Sequence, residues 1–180
     1  WVLPTLAIRL VRNLLDSKME SLEGFKRKRD YSKTREAWPA AIFILRKILI
    51  DGDLWYLRKN DIENSSDDIY SVKLEYKDGV VFCRQILPIQ VMRVTNSSPV
   101  EVVEAIKSKF TDDLCGVSLV CHFLRDETID WGRISAQILK LKPKLNDVTL
   151  IGSVGGNKFT VGQVYPLIAN AITTVNLDLI

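Results

Sequence analysis

Residues 68–94 read DIYSVKLEYKDGVVFCRQILPIQVMRV, and the prediction of the fold starts from this segment. Its two halves, Asp68–Tyr76 and Val80–Val94, are rich in β-branched and aromatic residues, which favours extended strands. Asp78-Gly79 between them is a strong signal for a tight turn. Pro88 cannot donate a sheet hydrogen bond, so it predicts a sheet edge or a bulge at its own position. We therefore predict a β-hairpin over residues 68–94.

Helical patterns flank this hairpin on both sides. Residues 1–22 and 33–50 show apolar residues at helical spacing. After the hairpin, Ser98 is predicted to cap a helix, with Pro99 at its first position and Glu101 completing a capping box. The apolar stripe of the first helix is Leu3, Leu6, Leu10 and Leu14, with Val11 as a further candidate, and that of the second is Ile42, Leu45, Ile48 and Leu49.

Strands and helices then alternate along the rest of the chain. An apolar run near 117–124 predicts a central strand, a helix is predicted over about 130–141, and 148–154 predicts another strand. Residues 158–165 and 173–180 complete the extended segments. This order predicts an α/β fold with a mixed central sheet, a β-hairpin and helices on both faces.

The bulk composition fits one globular unit. The 180 residues are 47% hydrophobic and 26% charged, which is typical of a folded domain. We assign 1–35 to an N-terminal helix and basic link and 36–180 to the α/β domain, both within one compact unit. The net charge of +3 permits a nucleic-acid partner without requiring one. Because the chain starts with Trp1, further domains or protein partners outside it are compatible with the sequence.

Cysteine usage and hydropathy indicate the compartment. The chain has three cysteines, an odd number without a close pairing pattern, which argues against a disulfide framework. The longest apolar stretch, 1–15, is interrupted by Arg9 and Arg12 and is shorter than the ~20 residues of a membrane helix. We therefore expect a cytoplasmic protein that does not cross a membrane.

Several familiar sites lack their residues. His122 is the only histidine, so a Cys/His zinc site or a histidine-based triad has little to draw on. Residues 152–157 are rich in glycine, but no Gly-Lys-Ser/Thr follows, so they predict a turn between strands and not a phosphate-binding loop.

One arrangement of polar residues remains after these exclusions. A two-residue turn at Asp78-Gly79 places Asp67 opposite Gln90, whereas a turn longer by one residue places Asp68 opposite Pro88 and diagonal to Gln90. In either register an acid and an amide oxygen converge across the hairpin. Such oxygen ligands suit a hard divalent cation, which commonly assists phosphodiester hydrolysis.

The segments around these residues resemble a known family. They are the helix with Glu36, the strand opening Ser66–Tyr70, the strand Ile86–Val91 and the helix Ala105–Phe110. Together they are similar to the PD-(D/E)XK nuclease superfamily, which has the restriction-endonuclease-like fold. The resemblance covers roughly residues 36–165 and rests on a few positions.

The resemblance implies roles for individual residues. The superfamily pattern is an Asp that opens one strand, followed by Asp/Glu-X-Lys on the next strand. Asp68 matches the first acid, whereas Gln90 and Met92 stand where the second acid and the lysine are expected. The resemblance implies that Asp68 and Gln90 hold Mg²⁺, that Glu36 supports it, and that Lys107 from the following helix positions the attacking water.

Three functional interpretations follow from the sequence. The first is a metal-dependent nuclease that hydrolyses phosphodiester bonds of nucleic acid. The second is a catalytically inactive nuclease-fold domain that binds nucleic acid or another protein, and the third is an unrelated α/β interaction domain. A basic run favours the first two, since its side chains suit phosphate contacts. That run consists of Lys26, Arg27, Lys28 and Arg29.

Overall fold

The computed structural model of the chain describes residues 1–17, 32–60, 68–95, 98–123, 128–168 and 171–179. The helices in these ranges are α1 (Pro4–Ser17), α2 (Ser32–Asp51), α3 (Pro99–Lys107) and α4 (Trp131–Leu141). The strands are β1 (Trp55–Lys59), β2 (Ile69–Lys77), β3 (Val80–Val94), β4 (Ser118–Phe123), β5 (Asp147–Ser153), β6 (Lys158–Tyr165) and β7 (Ile172–Asn176). Short 3₁₀ turns occur at Asp112–Leu114 and Leu177–Leu179.

The strands form one mixed sheet of seven, in the order in which they occur along the chain. Neighbours are antiparallel except β3 with β4 and β4 with β5, which are parallel. Parallel neighbours need a crossover, and α3 and α4 provide the two crossovers. The predicted α/β class with its hairpin and neighbouring strands is confirmed at this level.

The hairpin contains the predicted turn and a bulge at a different position. Asp78 and Gly79 have φ angles of 53° and 77°, as a two-residue hairpin turn requires. The pairing then shifts between Lys73 and Leu74, which leaves Arg84 as the extra residue on β3.

Because of the bulge, both hairpin registers predicted from the sequence are wrong. Beyond Arg84 the last pair of the ladder is Ile69 with Ile89, and the N–H of Asp68 donates to the carbonyl oxygen of Ile89. Pro88 is opposite Tyr70 and not Asp68. Asp67 lies outside the described residues. Pro88 does stand at an edge, because β4 begins to pair with β3 only at Ile89.

Two hydrophobic cores lie on opposite faces of the sheet. The α1/α2 face packs Ile8 and Phe43 against strand residues such as Ile89 and Val120. The α3/α4 face packs its helices against alternate strand residues, and its members include Val94, Val102, Ile106, Leu119, Cys121, Ile134, Ile138 and Leu150. Each pair of helices therefore covers one face of the sheet.

The buried stripes of α1 and α2 differ from those predicted. In α1 the side chains of Ala7, Ile8 and Val11 are buried, whereas Leu3, Leu6 and Leu10 are exposed. In α2 all residues from 40 to 46 are buried, and Leu49 is exposed. Since α2 packs between the sheet and α1, it is covered on more than one side. The side chain of Leu14 is outside the described part.

Two local features also depart from expectation. The strand β1 was not predicted, although Trp55 and Leu57 alternate as buried residues with Tyr56 and Arg58. The prediction of a capping box at the start of α3 is wrong, because the side chain of Ser98 makes no cap hydrogen bond. None of the helices in the described ranges has the length and apolar character of a membrane crossing.

Candidate functional site

Backbone hydrogen bonds hold Asp68 between β1 and β3. Its N–H donates to the carbonyl oxygen of Ile89 over 3.0 Å, and its own carbonyl accepts from the N–H of Asn60 over 3.1 Å. Its side chain is held as well, because Oδ2 accepts from the N–H of Val91 over 2.7 Å. Asp68 is therefore positioned by the ladder that places Ile69 opposite Ile89.

Gln90 and Asp68 lie next to the last residue pair of the hairpin. Side chains alternate along a strand, and Ile89 points into the α1/α2 core, so Gln90, the next residue of β3, points to the α3/α4 face. Asp68 forms a bend before β2, so this alternation does not extend to it, and its Oδ2 lies at the backbone N–H of Val91. The bulge at Arg84 sets the register in which Ile69 pairs with Ile89.

The side-chain oxygen of Gln90 is an unsatisfied acceptor. Its Oε1 is buried and accepts no hydrogen bond from the described residues. Leaving a buried acceptor without a donor costs about 1–3 kcal/mol, so most buried acceptors are paired. A cation or a cation-bound water at this position would satisfy the oxygen.

Lys107 lies on the same side of the sheet as Gln90. It is the last residue of α3, which buries Val102 and Ile106 on the α3/α4 face. The chain then leads into Ser118, the start of β4, which pairs with Ile89. Lys107 Nζ is 3.4 Å from Glu104 Oε1, and both side chains are exposed.

Lys109 is a further cation near this face. Burial raises the pKa of the Cys121 thiol, and the positive charge of Lys109 partly opposes that rise. Cys121 pairs with Met92, two residues after Gln90. The charge of Lys109 therefore acts on the strands beside the predicted site.

Glu36 is not brought together with Asp68 and Gln90. Trp38 packs edge-on against Phe159 at 6.3 Å between ring centroids, and Phe159 pairs with Ser153 at the end of β5. The site lies near the opposite end, in line with the start of β5 at Asp147. The six residue steps along β5 from Asp147 to Ser153 span about 20 Å. Glu36 belongs, moreover, to a helix on the α1/α2 face.

Asp68 and Gln90, if they bound a metal ion together, would offer it little charge. In the part of the chain that the structure describes, no group of three or more His, Cys, Asp and Glu side chains is arranged to hold a metal ion. Asp68 and Gln90 supply one carboxylate and one neutral amide, both oxygen ligands that suit Mg²⁺. These residues fit a weakly bound hard cation whose remaining ligands are water or phosphate oxygens.

A second polar cluster, around Asp147, differs from this site. The buried Asp147 carboxylate accepts from Ser118 Oγ over 2.7 Å, Asn146 Nδ2 over 2.9 Å and Thr149 Oγ1 over 3.3 Å. Burial raises the pKa of Asp147, and the charge of Lys47 opposes the rise. Because this carboxylate already has three donors, its role is structural. Sequence reasoning missed it, although the polar residues at the starts of β4 and β5 are a visible signal.

Two cavities formed by described residues lie elsewhere. One of about 580 Å³ is lined by Ile129, Trp131, Ser153 and Thr160, among others, and its lining has no titratable side chain. Another of about 300 Å³ lies between α4 and β6 and is largely apolar. Neither contains Asp68, Gln90 or Lys107.

The remaining site prediction falls outside the described residues, since Lys26, Arg27, Lys28 and Arg29 lie between 17 and 32. Comparisons of the chain with protein-family models, with curated proteins and with solved structures find no match. The functional argument therefore rests on the residues of this chain.

Proposed function

We propose that the chain is a metal-dependent nuclease-like domain that hydrolyses phosphodiester bonds of nucleic acid. Asp68 and Gln90 hold Mg²⁺, and Lys107 positions the attacking water or the phosphate. The proposal includes membership of the PD-(D/E)XK superfamily and a cytoplasmic location. Glu36 is left out of the site, because α2 carries it to the other end of the sheet.

The single observation that supports this proposal is the buried Oε1 of Gln90. Among the described residues it has no hydrogen-bond donor, and the Asp68 carboxylate lies at the N–H of Val91, the next residue of β3. An Asp that precedes one strand, with an oxygen ligand on the next strand, matches part of the superfamily pattern, whereas Gln90 and Met92 stand where that pattern has a second acid and a lysine.

The chemistry follows from the charges of these residues. When bound, Mg²⁺ supplies Lewis acidity and lowers the pKa of its water. Asp68, held by the Val91 N–H, contributes the negative charge that attracts the cation. Gln90 contributes a neutral oxygen. The ammonium group of Lys107 offsets negative charge on the phosphate, and its exposed position leaves it accessible to a substrate.

The low charge of the ligand set favours a second candidate function. A domain with the same fold and one carboxylate would bind nucleic acid or a protein without cleaving. The two functions differ in one measurable respect, which is the requirement for a divalent cation in millimolar amounts.

Cleavage of labelled single- and double-stranded DNA and RNA tests the proposal. We expect slow cleavage that needs millimolar Mg²⁺ or Mn²⁺, that Asp68→Ala abolishes, and that Lys107→Ala reduces about 10–100-fold with the fold intact. Lys144→Ala is the matched control, because Lys144 is an exposed lysine paired with Asp112. Cleavage that persists in Asp68→Ala, or that needs no divalent cation, would contradict the nuclease proposal.

A further inference from the structure

The hairpin extends beyond the rest of the sheet as a two-stranded arm. We define the arm as residues 74–86 of β2, the turn and β3. On β3, Val80–Pro88 has β2 on one side, and β4 begins only beside Ile89. Among the described residues, no strand pairs with the outer side of this segment. The arm therefore presents an open row of backbone N–H and C=O groups.

The side chains of the arm are apolar and exposed. The exposed fractions are 73% for Tyr76, 58% for Val81, 51% for Phe82 and 60% for Ile86. Exposed contiguous apolar surface on this scale marks an interaction site, and an open hydrophobic edge is a template for another strand. The two observations are independent, since one concerns the backbone and the other the side chains.

The charges of the arm exclude a phosphate backbone as its natural partner. Glu75 and Asp78 balance Lys77 and Arg84, so the arm has no net charge. Arg84 Nη1 already lies 3.5 Å from Glu75 Oε2 on the adjacent strand. Nucleic-acid contacts depend on unbalanced positive charge, which the arm does not offer. An extended protein strand with apolar side chains is the complementary partner.

The arm is complementary to itself. An antiparallel pairing of two β3 edges about a two-fold axis between Cys83 and Arg84 places Val81 opposite the second copy's Ile86. Phe82 comes opposite the second copy's Gln85. Because of the bulge, the two residues of each pair point to the same face of the sheet. Val81 and Ile86 point to the α3/α4 face, and Phe82 and Gln85 point to the other face. Pro88, which lacks an N–H, ends the pairing.

We infer that this chain forms a homodimer through its β3 edges, so that two arms join into one continuous sheet across a two-fold axis. This inference goes beyond the proposed function and does not depend on it. A two-fold interface uses the same patch on both copies, which the register above provides. The pairing brings Val81 against the second copy's Ile86 and satisfies the open backbone groups of β3 at the same time.

Sedimentation of the full chain over roughly 1–100 µM measures the association directly. We expect a monomer–dimer equilibrium, and we expect Val81→Lys and Phe82→Lys each to raise the Kd at least about tenfold by placing charge in the edge. Val154→Lys is the control, because Val154 is 57% exposed in the loop after β5. Circular dichroism of each variant checks that the monomer stays folded.

Thiol cross-linking tests the register. In the paired arms the two Cys83 residues lie within about 8 Å of each other, in reach of a short bis-maleimide. Cys115 is also exposed, whereas Cys121 is buried. We expect Cys115→Ser to cross-link as wild type does and Cys83→Ser not to cross-link. A chain that remains monomeric over the whole range, or a dimer indifferent to the arm variants and to Cys83→Ser, would overturn the inference.

Discussion

The carboxylate of Asp68 accepts a 2.7 Å hydrogen bond from the backbone N–H of Val91, the residue that follows Gln90. This bond joins the opening of β2 to the segment of β3 that carries the unsatisfied Oε1 of Gln90. Asp68 therefore has two separable roles. Its hydrogen bond supports the hairpin, and its carboxylate supplies charge to the proposed cation site.

Two substitutions of Asp68 separate these roles. We expect Asp68→Asn to keep an oxygen acceptor for Val91 and to lower the free energy of unfolding by less than about 1 kcal/mol. Asp68→Ala removes the acceptor and should cost about 1.5–3 kcal/mol, as is usual for hydrogen bonds to charged groups. Both should abolish Mg²⁺ binding, because both remove the charge.

Urea unfolding and metal titration of the same samples make the comparison. Asp112→Asn is the control, since Asp112 is exposed and lies 2.9 Å from Lys144 Nζ. If Asp68→Asn bound Mg²⁺ as tightly as wild type, Asp68 would have only its structural role.

Salt tests the proposed nucleic-acid partner. If Lys26, Arg27, Lys28 and Arg29 contact phosphates, the affinity for DNA or RNA should fall steeply between about 50 and 200 mM salt, because counterions are released on binding. Replacing all four by Gln should weaken binding and reduce the slope of log K against log salt by up to about 4 units. Fluorescence anisotropy of a labelled oligonucleotide measures both. An affinity indifferent to salt would point to a protein partner instead.

His122 predicts how stability responds to acid. Burial, and next the charge of Arg93, lower the pKa of His122 from 6.5 to about 4. The unfolded chain therefore binds the proton first as the pH falls, so the fold loses stability from about pH 6.5 down to about pH 4 and loses no more below that from this residue. The shift corresponds to about 3 kcal/mol at 1.36 kcal/mol per pKa unit.

Urea unfolding at pH 7 and at pH 4.5 checks this expectation. His122→Asn should be less stable than wild type at pH 7, and its stability should fall less between the two pH values. An unchanged pH dependence in His122→Asn would show that other groups cause the acid sensitivity.

Local chemistry explains which parts of the fold were predictable. The turn at Asp78-Gly79 and the start of α3 at Pro99 each depend on the backbone preferences of one or two residues. The edge at Pro88 follows from its missing N–H. These signals act within a few residues and survive in the folded chain.

The hairpin register was not predictable for a physical reason. Val80, Val81 and Phe82 are consecutive apolar residues on an arm exposed on both faces, so their hydropathy does not report which face each occupies. The extra residue at Arg84 changes the register by one, so that Ile69 pairs with Ile89. Sequence reasoning proposed Asp68 and Gln90 as site residues but could not derive their alignment.

The buried faces of the helices depend on tertiary packing. In α1 the small Ala7 and the branched Ile8 and Val11 face the core, whereas Leu6 and Leu10 are exposed. Hydropathy alone favours the leucine stripe. Of the donors to Asp147, Ser118 is 29 residues away in sequence and reaches it only through the pairing of β4 with β5, whereas Asn146 and Thr149 are close neighbours.

Calorimetric titration of Mg²⁺ and Mn²⁺ into wild type, Gln90→Glu and Gln85→Glu tests most directly whether Asp68 and Gln90 form a cation site. Gln85 is an exposed residue on the same strand with its side chain on the other face, so Gln85→Glu matches the change in charge. If Asp68 and Gln90 form the cation site, wild type should bind with a millimolar Kd and Gln90→Glu at least about tenfold more tightly, because it adds a charged oxygen. Gln85→Glu should bind as wild type does. Equal affinities for all three proteins, or no binding to wild type and to Gln90→Glu, would contradict the account.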